Sequence, residues 1–265
     1  MRSEGSEPAG EPVVCCDLDG VLWLGPDPIP RSCAAVGRLQ AAGRRVAYLT
    51  NNSSRTPDAV VAQLAGMGVA AEADDVLTSA QAAAQLLARD LPEGARVLAC
   101  AGEGVVAALT AVGFEVVATP PAGAVVVGWH RDFDYEGLDR AATAIRGGAR
   151  FVATNVDPTY PGPAGPMPGN GAIVAAVATA SGREAEVAGK PEAPMVGLVR
   201  ARFGTRGVMV GDRPSTDGAL ATALGWPFAL VLSGVAGEGG DEHVPDPRPA
   251  FVARDLASLV DDLLA

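Results

Sequence analysis

The run Val13-Val14-Cys15-Cys16 ends directly in Asp17-Leu18-Asp19-Gly20, and this junction constrains the fold more than any other stretch of the chain. Apolar residues in a short, charge-free run that starts with β-branched side chains predict a strand buried on both faces, as in a parallel sheet. A strand that stops in two carboxylates delivers both to the carboxyl edge of the sheet, where open α/β sheets bind ligands. Side chains alternate along a strand, so Asp17 and Asp19 fall on one side. Two like charges held that close raise each other's pKa unless something offsets them, and a divalent hard cation with oxygen ligands is the usual answer. The alternative is a solvated Asp-x-Asp turn with Gly20 in the left-handed region.

Downstream, apolar runs alternate with helical periodicity. A helix is expected over 31–42, a strand over 45–49 and a helix from Pro57 to about Met67. Thr78-Ser79 can cap a helix over 80–88. A strand at 96–101, a helix at 103–112, a strand at 124–128, a helix at 135–145 and a strand at 150–154 follow. Residues 157–171 are dense in Pro and Gly and read as a loop, and an Ala/Val helix spans 172–180. The last third holds strands at 207–210 and 228–232 and helices at 216–224 and 256–264. Repeated βα units predict an α/β fold, a parallel sheet with helices on both faces, and no fixed-period repeat is present.

Of 265 residues, 48% are hydrophobic and 19% charged, enough apolar content for one large or two smaller cores. Acidic residues outnumber basic ones 31 to 20, a net charge of −11, and no basic cluster marks a nucleic-acid footprint. An anionic substrate therefore needs local positive charge from a metal, a Lys or helix N-termini. The cysteines Cys15, Cys16, Cys33 and Cys100 form no CxxC pair and read as reduced, buried thiols of a cytoplasmic protein. No apolar run reaches membrane-spanning length, and residues 1–10 are expected to be a disordered leader without a signal peptide. Heavy use of Ala, Gly, Arg and Pro suits a GC-rich bacterial genome.

Three further sites carry chemistry. Thr50-Asn51 stands at a strand end, where a hydroxyl and free backbone N–H groups can hold phosphate oxygens; a polar strand-to-helix turn is the alternative. Lys190 lies in Gly189-Lys190-Pro191, flanked so that its ammonium can be aimed at a phosphate or at Asp17; the alternative is a solvated surface charge. This is not a P-loop, because Glu184 stands where the first Gly would be and Pro191 replaces the Ser/Thr. Gly211-Asp212 again follows a strand, and Asp217, about a turn later, can complete an acidic cluster; here the alternative is N-capping by Asp212, Ser215 or Thr216. Asp, Thr, Lys and Asp in this order suit one kind of chemistry. In it a carboxylate attacks a phosphoryl group, a hydroxyl and an ammonium hold its oxygens, and a metal neutralises charge.

On these residues the chain resembles the haloacid dehalogenase superfamily, in its phosphatase branch with an α/β cap inserted after the second motif, the NagD-like and p-nitrophenyl-phosphatase-like group (class IIA). The motifs are Asp17 to Trp23, Thr50 to Ser54, Gly189 to Glu192, and Gly211-Asp212 with Asp217; the segments 153–161 and 168–171 look like that branch's cap. The resemblance covers nearly all of the chain after the leader. It implies a Rossmann-like core, Asp17 as nucleophile and Asp19 as general acid, then base. Thr50 and Lys190 would bind phosphate, helped by backbone N–H groups near Gly20 and Asn51. Mg2+ would be held by Asp17, the Asp19 carbonyl and Asp212, with Asp217 in support. Pro214-Ser215 and Gly218 depart from the familiar last motif but leave its acidic residues in place.

The expected division is a core of 11–79 and 184–265 and an inserted cap of 80–183. Asn155 and Asp157 are cap candidates for substrate choice, with His130 and Arg131 as weaker ones; His243 reads as a solvated loop residue, and Trp23 as packing beside the site. The implied partner is a small phosphorylated metabolite, such as phosphoglycolate, glycerol phosphate, a sugar phosphate, pyridoxal phosphate or a nucleoside monophosphate. Neither nucleic acid nor membrane is expected, and a homodimer is left open. Rival classes fit less well. A dinucleotide module finds only Gly102-Glu103-Gly104, with Ala107 at the third position. A phospho-acceptor module needs no inserted domain. A Cys-dependent phosphatase needs Arg six residues after a Cys, and none of the four has it.

Overall fold

The structure, a computed structural model, describes residues 12–162, 165–235 and 246–265. The expected leader and His243 lie outside the described residues. Fifteen strands are named here in chain order: β1 (Val13–Asp17), β2 (Trp23–Leu24), β3 (Asp27–Pro28), β4 (Val46–Thr50), β5 (Val76–Thr78), β6 (Arg96–Cys100), β7 (Glu115–Val117), β8 (Ala124–Val127), β9 (Arg150–Ala153), β10 (Thr159–Gly162), β11 (Gly165–Pro168), β12 (Glu186–Val187), β13 (Gly207–Gly211), β14 (Phe228–Val231) and β15 (Phe251–Ala253). Six form one all-parallel sheet in the order β15-β14-β13-β1-β4-β5. Five form a second parallel sheet, β12-β9-β8-β6-β7, the inserted cap. The pairs β2-β3 and β10-β11 are short antiparallel hairpins.

The order of the first sheet reverses at β1: the chain moves outward through β4 and β5, then returns to build β13, β14 and β15 on the other side. In such a sheet the crevice lies at the carboxyl ends beside the reversal, and that is where β1 ends in Asp17. The second sheet reverses between β6 and β8.

The helices are α1 (Pro30–Ala41), α2 (Pro57–Gly66), α3 (Ser79–Ala88), α4 (Glu103–Ala111), α5 (Tyr135–Arg146), α6 (Asn170–Ser181), α7 (Ala193–Phe203), α8 (Ala219–Leu224) and α9 (Leu256–Leu264). Sequence explains their ends: Pro57 opens α2 behind the Thr56 cap, and Thr78 and Gln81 form a reciprocal capping box on α3. One face of the first sheet is covered by α1 and α9 through Val36, Leu39, Leu256 and Val260. The outer face of the second sheet is covered by α5 and α6 through Ile145, Ile173 and Val177. Between the sheets lies a single apolar cluster that runs from Cys15 and Leu49 through Leu87 of α3 and Met195 of α7 to Val97 and Val126. The layers are therefore helix, sheet, helix, sheet, helix, and the middle helices belong to both sheets.

Most expected elements form within a residue or two of their place. Residues 157–171, with the composition of a loop, hold the β10–β11 hairpin, and the helix expected over 216–224 is a wide π-type turn (Pro214–Gly218) followed by the short α8. Helix α7 has no clear sequence signature: its apolar residues spread around the axis and Gly197 interrupts the pattern. Strands β5, β7, β12 and β15 are only two or three residues long, too short for a periodicity. No helix among the described residues is long and apolar enough to cross a membrane.

Because Leu87 is fully buried in the shared cluster, Leu87→Ala is expected to cost about 3 kcal/mol while both sheets melt in one calorimetric transition. Two separated transitions would show that the sheets are energetically independent.

Candidate active site

At the end of β1, Leu18 N donates to Asp17 Oδ1 (2.8 Å) and the chain turns sharply, with Gly20 N donating to Trp23 O (2.7 Å). Gly20 adopts φ +84°, and a Cβ there would collide with the Asp212 carboxylate, so only glycine allows this approach. The turn brings Trp23 back: its Nε1 donates to Asp19 Oδ1 at 2.9 Å. Trp23 therefore does more than pack beside the site; it holds the Asp19 carboxylate. At the end of β4 the Thr50 hydroxyl is buried and accepts from Asn52 N (3.0 Å).

Lys190 enters on the segment that returns from the second sheet. It is 3% exposed, and its Nζ lies 2.9 Å from Asp17 Oδ1 and 2.7 Å from Asp217 Oδ1. At the end of β13, Asp212 Oδ2 accepts from Val235 N (2.6 Å). The wide turn 214–218 then swings Asp217 back under Gly211, where its Oδ2 accepts from Arg213 N (3.1 Å). A π-type turn at such a place re-aims a side chain that a regular helix would point elsewhere. Asp17, Asp212 and Asp217, all buried, each place an oxygen within 4.8 Å of the others.

The electrostatics follow from crowding. Burial first, and then the charge of Asp17, raises Asp19 to about 6 and Asp212 to about 6. Burial raises Asp217 to about 8 against the opposing pull of Lys190, with Asp17 and Asp212 adding to the rise. Burial alone would lower Lys190, but Asp17 and Asp217 outweigh it and hold the ammonium charged. One buried cation thus faces a group of carboxylates that it cannot neutralise alone. Oxygen donors in this number and spacing fit a hard divalent cation. Each raised carboxyl group binds its proton more tightly folded than unfolded. Its contribution to metal-free stability is complete below the unfolded value of 3.8 and is lost as pH rises through about 6 and about 8. In EDTA the melting temperature is therefore expected to fall between pH 5 and pH 8, and less steeply in Asp212→Asn; an equal fall in both proteins would contradict these assignments.

The second sheet meets this site through Asn51. Asn51 Oδ1 accepts from Lys190 N (2.8 Å), while its Nδ2 donates to Lys190 O (3.2 Å) and Asp157 Oδ2 (3.1 Å). Asn51 O accepts from Ser79 Oγ and Asn155 Nδ2, both at 2.6 Å. So Asn51, expected at the phosphate, spends its side chain on joining the core loop, Lys190 and the cap. Asp157 lines the cleft, and burial, the largest influence, raises its pKa. Asn155 is buried beside it as a brace. Tyr160 of the β10–β11 hairpin also lines the cleft, accepting from Asn52 Nδ2 (3.3 Å) and stacking on Trp129 at 4.8 Å. A loop reading of 157–171 gives Tyr160 no fixed place, although it lies inside the cap segment that carries the resemblance.

His130 does not line this cleft. Its Nδ1 sits 2.8 Å from Gly128 O, its ring meets Phe133 edge-on, and it borders a separate cavity with Cys100 and Asp134. Arg131 lies over Trp129 at 5.9 Å. The cleft is small, about 50 Å3. A larger cavity, about 440 Å3, lies at the opposite edge of the first sheet beside Val14, Trp226 and Phe251, and none of these carboxylates reaches it. The Gly102-Glu103-Gly104 turn is closed to a dinucleotide, because Gly104 packs against the backbone carbonyls of Ser53 and Arg55.

A haloacid dehalogenase-like hydrolase profile matches residues 14–115 and a HAD-hydrolase-like profile matches 187–259. The D-glycerol 3-phosphate phosphatase of Mycobacterium tuberculosis is 42% identical over 251 residues, which are 93% of this chain and 70% of that protein. A glycerol phosphate phosphatase of M. tuberculosis solved in complex with magnesium superposes with a TM-score of 0.83 at 40% identity, over 92% of this chain and 75% of that one. The p-nitrophenyl phosphatase of Archaeoglobus fulgidus gives 0.85 at 31% identity, over 96% and 100%. With both profiles and a shared fold across nearly its whole length, the chain belongs to the haloacid dehalogenase-like hydrolases.

Proposed function

We propose that the chain is a Mg2+-dependent phosphatase that hydrolyses small phosphate monoesters through an aspartyl-phosphate on Asp17. The observation that carries the proposal is the buried Lys190 ammonium set between Asp17 and Asp217 at the mouth of the first sheet. The relatives named as phosphatases, and the one solved with magnesium, support it.

Asp17 attacks the phosphorus atom, and the bond to the leaving oxygen breaks. Asp19, raised to about 6, gives its proton to that oxygen, and the alcohol departs. The same carboxylate then takes a proton from water, which attacks the aspartyl-phosphate and frees inorganic phosphate and Asp17. A carboxyl group that titrates near the working pH suits both halves. Trp23 holds the Asp19 carboxylate, while the Thr50 hydroxyl, the Lys190 ammonium and backbone N–H groups near Gly20 and Asn51 hold the phosphoryl oxygens. Asp17, Asp212 and Asp217, with the Asp19 carbonyl, would hold Mg2+, whose chemistry is to neutralise phosphoryl charge and orient the group for in-line attack.

The core is assigned to 11–79 and 184–265 and the cap to 80–183, with Asn155 and Asp157 on the cap side of the cleft. The substrate is a small phosphorylated metabolite, of the glycerol phosphate, sugar phosphate or similar class, and 4-nitrophenyl phosphate serves as an artificial one. The protein with Mg2+ is expected to release inorganic phosphate from 4-nitrophenyl phosphate, and EDTA to abolish the release. Asp17→Asn keeps the shape and removes the nucleophile, so kcat is expected to drop by about a thousandfold or more with an unchanged circular dichroism spectrum. Turnover within a few-fold of the unaltered protein would defeat the assignment.

A further inference from the structure

Tyr160 enters the cleft from the cap hairpin and lines it together with Asp19 and Asn52. Its ring is anchored on the cap side, stacked on Trp129 with centroids 4.8 Å apart and planes at 29°. The direction of its hydroxyl follows from the donors behind it. Ser54 N donates to Asn52 Oδ1 (3.0 Å). A backbone N–H only donates, so the Asn52 amide has one orientation and Nδ2 occupies the other arm. That Nδ2 donates to Tyr160 Oη (3.3 Å). Tyr160 Oη is therefore an acceptor toward Asn52, and its own proton points elsewhere. The Asp19 side chain is the partner, hydrogen-bonded to the Tyr160 side chain. An ionised carboxylate only accepts, so the phenol is the donor.

Asp19 is thus held from two sides. Trp23 Nε1 donates to its Oδ1 from the core (2.9 Å), and Tyr160 donates from the cap. An indole N–H cannot accept a proton, and Tyr160 Oη already accepts from Asn52. When Asp19 is protonated, neither partner draws on that proton, which stays available to a leaving oxygen. A general acid must lie within hydrogen-bond reach of the atom it protonates, and two donors fix the plane of a carboxyl group where one leaves it free to turn.

We infer that Tyr160 is a positioning residue for proton transfer: its hydroxyl aims the Asp19 carboxyl group at the leaving oxygen, so the core alone does not complete its general acid. The inference rests on the phosphatase reading above and adds a residue of the cap to the machinery of the chemical step.

The test measures inorganic phosphate release by the full chain with Mg2+ from n-propyl phosphate and 4-nitrophenyl phosphate. The kcat/KM covers the reaction up to departure of the leaving group and leaves out hydrolysis of the aspartyl-phosphate. Nitrophenolate departs without a proton, whereas propoxide needs one. Propyl phosphate has no hydroxyl for Tyr160 to bind, so a slower reaction with it is not a lost substrate contact. Tyr160→Phe keeps the ring and its stack on Trp129 and removes only the hydroxyl. In this variant, shown to be folded by its melting curve, kcat/KM for propyl phosphate is expected to fall by about tenfold or more while that for 4-nitrophenyl phosphate stays within about twofold. No fall, or equal falls for both substrates as a packing role would give, overturns the inference and leaves the phosphatase reading intact. Release from 4-nitrophenyl phosphate alone by the unaltered protein does the same. If Tyr160→Phe does not fold, Asn52→Ala decides, since it removes the amide that turns the hydroxyl toward Asp19. The propyl-to-nitrophenyl ratio of kcat/KM is then expected to fall by about threefold or more, and an unchanged ratio overturns the inference. No release from either substrate by the unaltered protein overturns both.

Discussion

The site depends on one shared cation, the Lys190 ammonium between Asp17 and Asp217. Burying a charge is expensive unless it is paired and hydrogen-bonded, and here the pairing is double, at 2.9 and 2.7 Å. Removing either carboxylate would leave a buried cation half-compensated. Removing the lysine would leave Asp17, Asp212 and Asp217 facing one another without a counter-charge. The surrounding backbone is shaped to hold this cluster: Gly20 and Gly211 yield the space that Asp212 and Asp217 fill. The same crowding that destabilises the metal-free cluster prepares it for a cation and tunes Asp19 toward neutral pH.

Cap and core share this arrangement closely. Each parallel sheet reverses its strand order at one point, and the loop after β4 runs between the two reversal points. Gly128, just past β8, packs on Ser53 of that loop, and Gly104 packs on its carbonyls. Ser53 Oγ accepts from Trp129 N (3.2 Å) and lies 3.0 Å from Thr154 Oγ1. With Asn51 tied to Lys190 and Asp157 as well, a displacement of the cap is passed directly to the loop after β4. The two sheets are thus coupled by ordinary hydrogen bonds over one short segment.

Much of this is legible in the sequence because the chemistry sits at the ends of the most apolar strands. The four motifs each follow a buried run or a Gly/Pro-fixed turn, and such local patterns survive without knowledge of the partners. What cannot be read is what depends on pairing between distant segments. Lys190 can be recognised as a fixed lysine, but not as the shared partner of Asp17 and Asp217. Trp23 looks like packing because its indole N–H finds Asp19 only once the turn at Gly20 has closed. The two strands of the β10–β11 hairpin contain three prolines and two glycines, so their composition signals a loop even where a ladder forms. His130 is a candidate by residue type alone, with no local pattern to place it, and it lies elsewhere.

The position of β13 has a consequence for the order in which the molecule is assembled. Strand β1 is flanked by β4, which follows closely, and by β13, which arrives only at Gly207. The second sheet, by contrast, is contiguous in the chain from β6 to β12. During synthesis from the N-terminus, the cap can complete its own ladder while the first sheet still lacks the partner strand on one side of β1. Asp17 and Asp19 then emerge long before Lys190 exists. The charge that makes the cleft tolerable comes after the whole cap, so the ribosome finishes the lid before the vessel beneath it can close.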